Sequence, residues 1–247
     1  MTKYVLFDTE TTGNQEEDRV IQIGAMVVGS KGEVEVYDEL CSSDVEIKIE
    51  AMEVHNITPD MIEGKEPFSK TKFYNDLQGI NSERNYLIAH NIQFDLGMLK
   101  KEGFVNRMKL IDTLRCSKHL FPDSNYHRLQ YFRYSLGLYK DEQKEAQKHG
   151  IVIKAHDAIG DVLVMKLLLS KLVAKVKEQY PHINPMLKLE ELTNIPVFMK
   201  SFKFGKYKGE QIDDIARSDA GYIKWMLKSL ELDEDLKYTL ERVLENV

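Results

Sequence analysis

The chain has 247 residues, 43% hydrophobic and 30% charged, the balance of a soluble globular protein with room for one large domain and a small appendage. With 34 Lys and Arg against 40 Asp and Glu the formal net charge is −6, which argues against a broad basic face for nucleic acid unless bound cations or a local basic patch offset it. Cys41 and Cys116 lie far apart and outside any metal-type cluster, which excludes a disulfide scaffold and predicts free, buried thiols in a reducing compartment.

Met1-Thr2-Lys3 runs straight into a strand-like segment with no apolar leader, so a cytoplasmic location is the expectation. Residues 3–7 are apolar and β-branched and lead to a turn at Thr11-Thr12-Gly13, the pattern of a buried strand. Residues 19–28 and 33–40 read as two more strands joined by a hairpin at Gly29-Ser30-Lys31-Gly32. Residues 86–89 make a fourth strand, followed by a helix over about 92–101, and residues 109–111 a fifth. From Asp157 to about Gln179 apolar residues recur at helical spacing. The apolar stretch 162–176 is broken by Lys166, Ser170 and Lys171, which suits a buried-face helix rather than a membrane span. Strands first, then strands alternating with helices, predict an α/β domain with a mixed five-stranded sheet flanked by helices.

Pro181, Pro185 and Pro196 punctuate a polar stretch, so the boundaries expected are a domain over 1–180, a linker over 181–197 and a small α+β unit over 198–247. In the last, residues 198–212 read as strand and turn. Asp219 is placed to cap a helix bearing Tyr222, Ile223, Met226, Leu227 and Leu230.

Asp8 and Glu10 stand two apart at the end of a strand, and period-2 geometry puts both on one face. Two carboxylates about 4 Å apart repel by roughly 4 kcal/mol at an effective dielectric of 20, so a shared proton, a basic partner or a cation must offset them. The plainer account is that they cap the turn. Asp95 falls in the first turn of a helix with Asn91 as expected N-cap, and Asp161 in the first turn of the long helix with Asp157 as expected N-cap. Dipole complementation would explain each of these acids alone. His156, in the entry turn five positions before Asp161, can swing toward the same place, although a lone histidine there is more often structural.

Phe7-Asp8-Thr9-Glu10-Thr11-Thr12-Gly13, His90-Asn91-Ile92-Gln93-Phe94-Asp95 and His156-Asp157-Ala158-Ile159-Gly160-Asp161 together resemble the three motifs of the DEDDh exonucleases. That family includes proofreading subunits of bacterial replicases, ribonuclease T, oligoribonuclease and the exodeoxyribonuclease X group. Val54-His55-Asn56-Ile57-Thr58 resembles a segment found between the first two motifs. The resemblance implies a ribonuclease-H-like fold and 3′→5′ hydrolysis of phosphodiester bonds, releasing 5′-mononucleotides with two divalent ions, Mg²⁺ or Mn²⁺. It places Asp8, Glu10, Asp95 and Asp161 as metal-binding acids and His156 as general base. Thr11, Thr12 and Gly13 would form the backbone turn that meets the terminal 3′ hydroxyl, with Asn91 and Phe94 also facing substrate. Asn14-Gln15-Glu16-Glu17 follows Gly13 where many relatives carry a bulky apolar wedge; Phe94 is a candidate to stack instead, the alternative being a place in the core.

Met199 to Gly209 reads MKSFKFGKYKG, interleaving lysines with rings. Lys203, Lys206, Tyr207 and Lys208 are candidates for a DNA-binding surface, the alternative being a hairpin with buried rings and solvated lysines. Trp225 is expected in the core. This segment and Asp219-Ala220-Gly221-Tyr222 resemble the C-terminal extension of the exodeoxyribonuclease X group. The resemblance implies DNA as substrate, in single-stranded or frayed 3′ ends, and a role in repair or turnover. RNA trimming and attachment to a polymerase are the alternatives, although no clamp-binding segment is visible.

Overall fold

Five strands form where the apolar runs predict them: β1 (Lys3–Thr11), β2 (Val20–Gly29), β3 (Val34–Leu40), β4 (Tyr86–Ala89) and β5 (Lys109–Asp112). They make one sheet in the order β3-β2-β1-β4-β5. β1–β2 and β2–β3 are antiparallel, while β1–β4 and β4–β5 are parallel. The first hairpin closes where expected, with Gly29 N–H donating to the Glu33 carbonyl at 2.9 Å and Gly32 in the left-handed region at φ +85°. β1 extends beyond its apolar run to Thr11, so Asp8 and Glu10 lie inside the sheet, and its register with β2 shifts at Glu10/Thr11.

The computed structural model describes residues 1–153 and 157–245. The chain divides into two units, Met1–Thr193 and Asn194–Val247. In the first, alternation along the strands sends side chains to two layers. Leu6, Met26, Ile88 and Ile111 face α5 (Thr113–Leu120), α6 (Leu129–Ser135), α7 (Tyr139–His149) and α8 (Ala158–Gln179), burying Cys116, Phe132, Val162 and Leu168. Val5, Phe7, Ala25 and Leu87 face α3 (Lys72–Ile80) and α4 (Ile92–Lys101), burying Phe73, Leu77 and Leu99. Two short helices, α1 (Ile49–His55) and α2 (Pro59–Ile62), close over Ile21 beside the end of β1. Both cysteines are free and buried, and burial pushes each thiol up to about 12. Among the described residues no helix is long and apolar enough to cross a membrane.

Two expectations change. The stretch 181–197 contains a helix, α9 (Pro185–Asn194), whose Leu189 and Leu192 are buried in the same core as α8, so most of it packs as part of the first unit. Pro185 misled because proline is tolerated in a helix's first turn, and two leucines give too short a stripe to register as periodic. In the second unit the strand expected over 198–212 is reduced to a single antiparallel bridge, Ser201 with Gln211. Gly205 and Gly209, at φ +78° and +91°, turn the intervening chain instead. The core of that unit is built by α10 (Ile212–Ser218), α11 (Ala220–Ser229) and α12 (Glu234–Glu245) around Phe202, Ile223, Met226 and Leu240. Asp219 caps α11 as expected, accepting from Tyr222 N–H at 3.1 Å.

Candidate active site

Asp8 and Glu10 project from β1 toward the layer that holds α8. In the antiparallel pair Asp8 lies opposite Gly24 and Glu10 opposite Gln22. A Cβ on Gly24 would fall 2.3 Å from both the Ala158 carbonyl carbon and the Ile159 nitrogen, so only glycine lets the first turn of α8 rest on the sheet there. Gln22 secures the same turn. Its Nε2 donates to Asp157 Oδ1 at 2.7 Å, and its Oε1 accepts from Ala158 N–H at 3.4 Å. Asp157 therefore occupies the N-cap position without capping through its side chain, contrary to expectation, and its Oδ2 is buried with no hydrogen-bond partner among the described residues.

Asp161 reaches the site from that first turn, where Gln130 Nε2 donates to its Oδ1 at 2.6 Å. Arg133 donates from Nη1 to Gln130 Oε1 at 3.3 Å and, from Nε and Nη2, holds the buried Glu142 through two 2.6 Å bonds, so α6 and α7 fix the amide that fixes Asp161. Asp95 comes from the other layer. It is buried in α4, and its Oδ1 accepts from both Thr9 N–H at 3.2 Å and Thr9 Oγ1 at 2.7 Å. Thr9, lying between Asp8 and Glu10 on the opposite face of β1, thus ties Asp95 to the strand that bears the other two acids.

The charges strain one another. Burial, then repulsion from Asp95, Glu10 and Asp161, holds the Asp8 carboxyl well above the usual range. Burial, then repulsion led by Asp161 and Asp95, lifts Glu10 to about 8. Asp95 rises to about 7 through burial, against the lowering effect of the Thr9 bonds. Asp8, Glu10 and Asp161 keep part of their surface open even though protein atoms crowd around them. Among the described residues no three His, Cys, Asp or Glu side chains are already set as metal ligands. Asp95 and Asp161 are turned toward Thr9 and Gln130, as oxygens do when protein donors are their partners. A crowded set of hard oxygen donors with excess negative charge nevertheless suits divalent cations, which need such ligands and offset such repulsion. His156 lies outside the described residues.

The turn after β1 is supported rather than free. Thr12 is fully buried, its Oγ1 donating to Asp18 Oδ1 at 2.9 Å and accepting from Arg19 N–H. Asp18, also buried, takes Lys48 Nζ at 2.7 Å and Gln15 N–H at 2.6 Å. A side chain on Gly13 would lie 2.6 Å from Asp18 Oδ2, so this glycine makes room for that ion pair. Thr11 Oγ1 donates to the Gly13 carbonyl at 2.7 Å. His55 Nδ1 accepts from Ile57 N–H at 3.0 Å, which leaves its Nε2–H to donate to the Thr11 carbonyl at 3.2 Å. Thr11 and Thr12 thus spend their hydroxyls within the fold.

In the second motif His90 is structural. Its Nε2 donates to the His127 carbonyl at 2.9 Å, and burial pushes its imidazole down to about 4. Asn91 starts α4 at φ +75° without a side-chain cap, contrary to expectation, and its N–H donates to the buried Asp112 at 3.1 Å. Its side chain and Phe94, 38% exposed, are open to solvent beside Asp95. Sequence reasoning missed Thr9, Gln22, Gly24 and Gln130. Gly24 carried a signal, a glycine inside an apolar strand, and Gln22 another as a lone polar residue there; Thr9 and Gln130 carried none.

In the second unit Lys203, Lys206 and Lys208 are exposed. Tyr207 is half-buried, its hydroxyl donating to Asp219 Oδ2 at 2.7 Å, and Lys206 Nζ lies 3.2 Å from the same oxygen. Trp225, expected in the core, is 50% exposed, because α11 turns Ile223 and Met226 inward instead.

Residues 5–169 match the family model described as "Exonuclease", and residues 202–231 match "Exodeoxyribonuclease X-like C-terminal". Exodeoxyribonuclease 10 of Escherichia coli K12 is 26% identical over 98% of both chains. The epsilon subunit of DNA polymerase III from Treponema pallidum is 30% identical over 72% of this chain and 80% of its own. In fold the chain is similar to exonuclease X solved with 5′-overhanging duplex DNA, at TM-score 0.56 and 19% identity over 78% of this chain and all of that one. It is similar also to Escherichia coli exonuclease I solved with a dA16 oligonucleotide, at TM-score 0.51 and 19% identity over 77% of this chain and 42% of that one. The matched model spans the strands and helices that carry all three motifs, and the chain belongs to the exonuclease family, as a 3′→5′ exonuclease of DEDDh type.

Proposed function

We propose that this chain shortens DNA from its 3′ end, releasing 5′-mononucleotides, with Asp8, Glu10, Asp95 and Asp161 holding two divalent cations, Mg²⁺ or Mn²⁺, and His156 acting as general base. The observation that carries this reading is the gathering of acids from β1, α4 and α8 in one crowded place, where burial raises Asp8, Glu10 and Asp95 and repulsion from neighbouring acids adds to the rise of Asp8 and Glu10. When bound, such cations neutralise that charge and stabilise the attacking and leaving oxygens of an in-line displacement.

The remaining work falls to the chain itself. The Thr11–Gly13 backbone, held by His55 and Asp18, offers a fixed edge to the terminal nucleotide. Phe94, open beside Asp95, presents a face for the last base, and the Asn91 amide stands free to reach its sugar or phosphate. His156 supplies an imidazole, the side-chain type suited to take the proton of the attacking water near neutral pH. Its sequence neighbour Asp157 is clamped by Gln22. DNA is favoured as substrate because exodeoxyribonuclease 10 is similar over nearly the whole length of both chains.

The test is a side-by-side digestion of end-labelled single-stranded DNA, duplex DNA and RNA of matched sequence with Mg²⁺. The reading expects 5′-mononucleotides from DNA 3′ ends, loss of release in Asp8→Ala with the fold retained, and a larger effect of His156→Ala on turnover than on affinity. Faster digestion of RNA would reassign the substrate, and full activity in Asp8→Ala would remove the metal assignment.

A further inference from the structure

The second unit separates its charge along the chain. Residues 199–209 and α11 together hold six lysines and no acid, within a protein whose net charge is −6. The two stretches are joined by contact. Tyr222 of α11 packs edge-on against Tyr207 with centroids 5.0 Å apart, and its hydroxyl accepts from Lys206 N–H at 3.3 Å. Gly205, at φ +78°, permits this approach, since a Cβ there would fall 2.6 Å from that hydroxyl. The basic turn is therefore pinned onto α11. On the same helix Trp225, the only tryptophan of the chain, leans on Tyr222 at 5.7 Å and 32° with half its surface open. Phe204 in the turn is 46% exposed. Burying these two rings would have stabilised the unit, so their exposure on a lysine-rich surface needs another account.

We propose that this surface is a second nucleic-acid site, separate from the acids of the first unit, which holds a single strand: Trp225 and Phe204 take base faces, and Lys203, Lys208, Lys224 and Lys228 take phosphates. Every base has a face to stack and every linkage a charge, so the site binds without regard to sequence. Lys206 and Tyr207, held by Asp219, set the turn rather than carry the contact. The choice of ligand rests on the exonuclease reading, but its measurement requires no hydrolysis.

Trp225 is its own probe. The full chain, in chelator so that DNA survives, is titrated with a 15-nucleotide oligo(dT), following tryptophan emission and the anisotropy of an end label together. The expected result is saturable quenching of Trp225 in step with anisotropy, weakened by added salt. Lys203→Glu with Lys208→Glu, which keeps the probe, should weaken binding about tenfold, and Trp225→Ala about fivefold or more by anisotropy. Circular dichroism checks that each variant is folded. Oligonucleotide bound with Trp225 emission unchanged, or no loss of affinity in the charge-reversed chain, overturns the proposal. Absence of binding overturns it as well. Digestion measured separately with Mg²⁺ distinguishes the two readings: an active enzyme with a silent Trp225 sinks this site alone.

Discussion

Gly24 faces Asp8 across the β1–β2 pair, and the space left by its missing side chain is filled by the backbone of Ala158 and Ile159. A single position thus sets how closely α8 approaches β1, and hence how near Asp161 comes to Asp8 and Glu10. The repulsion among those acids follows from that approach.

Gly24→Ala should therefore harm fold and activity together. Backbone atoms at 2.3 Å cannot yield as a flexible side chain would, so a loss of about 1–3 kcal/mol is expected, the range of an overpacked core. Turnover should fall because Asp161 is carried outward with its helix. Gly79→Ala in α3, where an added Cβ meets nothing within 4 Å, is the control and should be neutral or stabilising by up to about 1 kcal/mol. Denaturant midpoints and initial digestion rates check both.

Thr9 offers a separation of the opposite kind, in which activity falls and stability hardly changes. Thr9→Val keeps shape and the main-chain bond to Asp95 but deletes the 2.7 Å hydroxyl bond, while Thr9→Ser keeps both donors. Valine should lower kcat about tenfold, as loss of a group that orients a ligand does, and serine should restore most of it. Equal rates in the two variants would show that the hydroxyl does not orient Asp95.

The frame of the site was legible in the sequence because it rests on local patterns: β1 from its apolar run, the first turns of α4 and α8 from periodicity, and the acids from their places at those ends. The supports were not, because they act between segments distant in sequence. Thr9 meets Asp95 86 residues away, and Gln22 meets Asp157 135 residues away. Thr12 was readable as part of a backbone turn, but the bond that braces the turn, from its hydroxyl to Asp18, was marked by no local pattern. Asn91 and Asp157 held the expected cap positions but not the cap bonds, because Asp112 and Gln22 offered partners from other elements. Trp225 was misjudged for a related reason: its place on a helix is readable, but which face that helix buries depends on the packing of α10 and α12.

Glu145 on α7 predicts a pH dependence of stability. The Lys166 ammonium on α8, followed by His149, holds its carboxyl down at about 2, below the ordinary 4.5. A carboxyl lowered in the folded state contributes stability in full above its unfolded value, and that contribution is lost as pH falls through the folded value. Glu145→Gln should thus be less stable than the parent at pH 7, on the order of 1–3 kcal/mol for a largely shielded pair. The gap should narrow between about pH 4.5 and about 2. Urea midpoints across that range check it, and a gap constant with pH would mean that the pair contributes nothing through its charge.

Gln130 and Glu142 sit on one chain of contacts to Asp161 but should fail in different ways. Gln130→Ala removes the 2.6 Å bond to Asp161 from a partly exposed position, so kcat should fall about tenfold with little change in unfolding midpoint. Glu142→Ala removes a buried carboxylate and both of its bonds to the partly exposed Arg133 guanidinium, and should cost about 1.5–3 kcal/mol. Its effect on kcat should be transmitted through Gln130, so in the double variant the loss of kcat should match that of Gln130→Ala alone while the losses of stability add. Rates measured at a temperature where all variants remain folded decide the matter. Multiplying effects on kcat would mean that Arg133 and Glu142 reach Asp161 by a route that does not pass through Gln130.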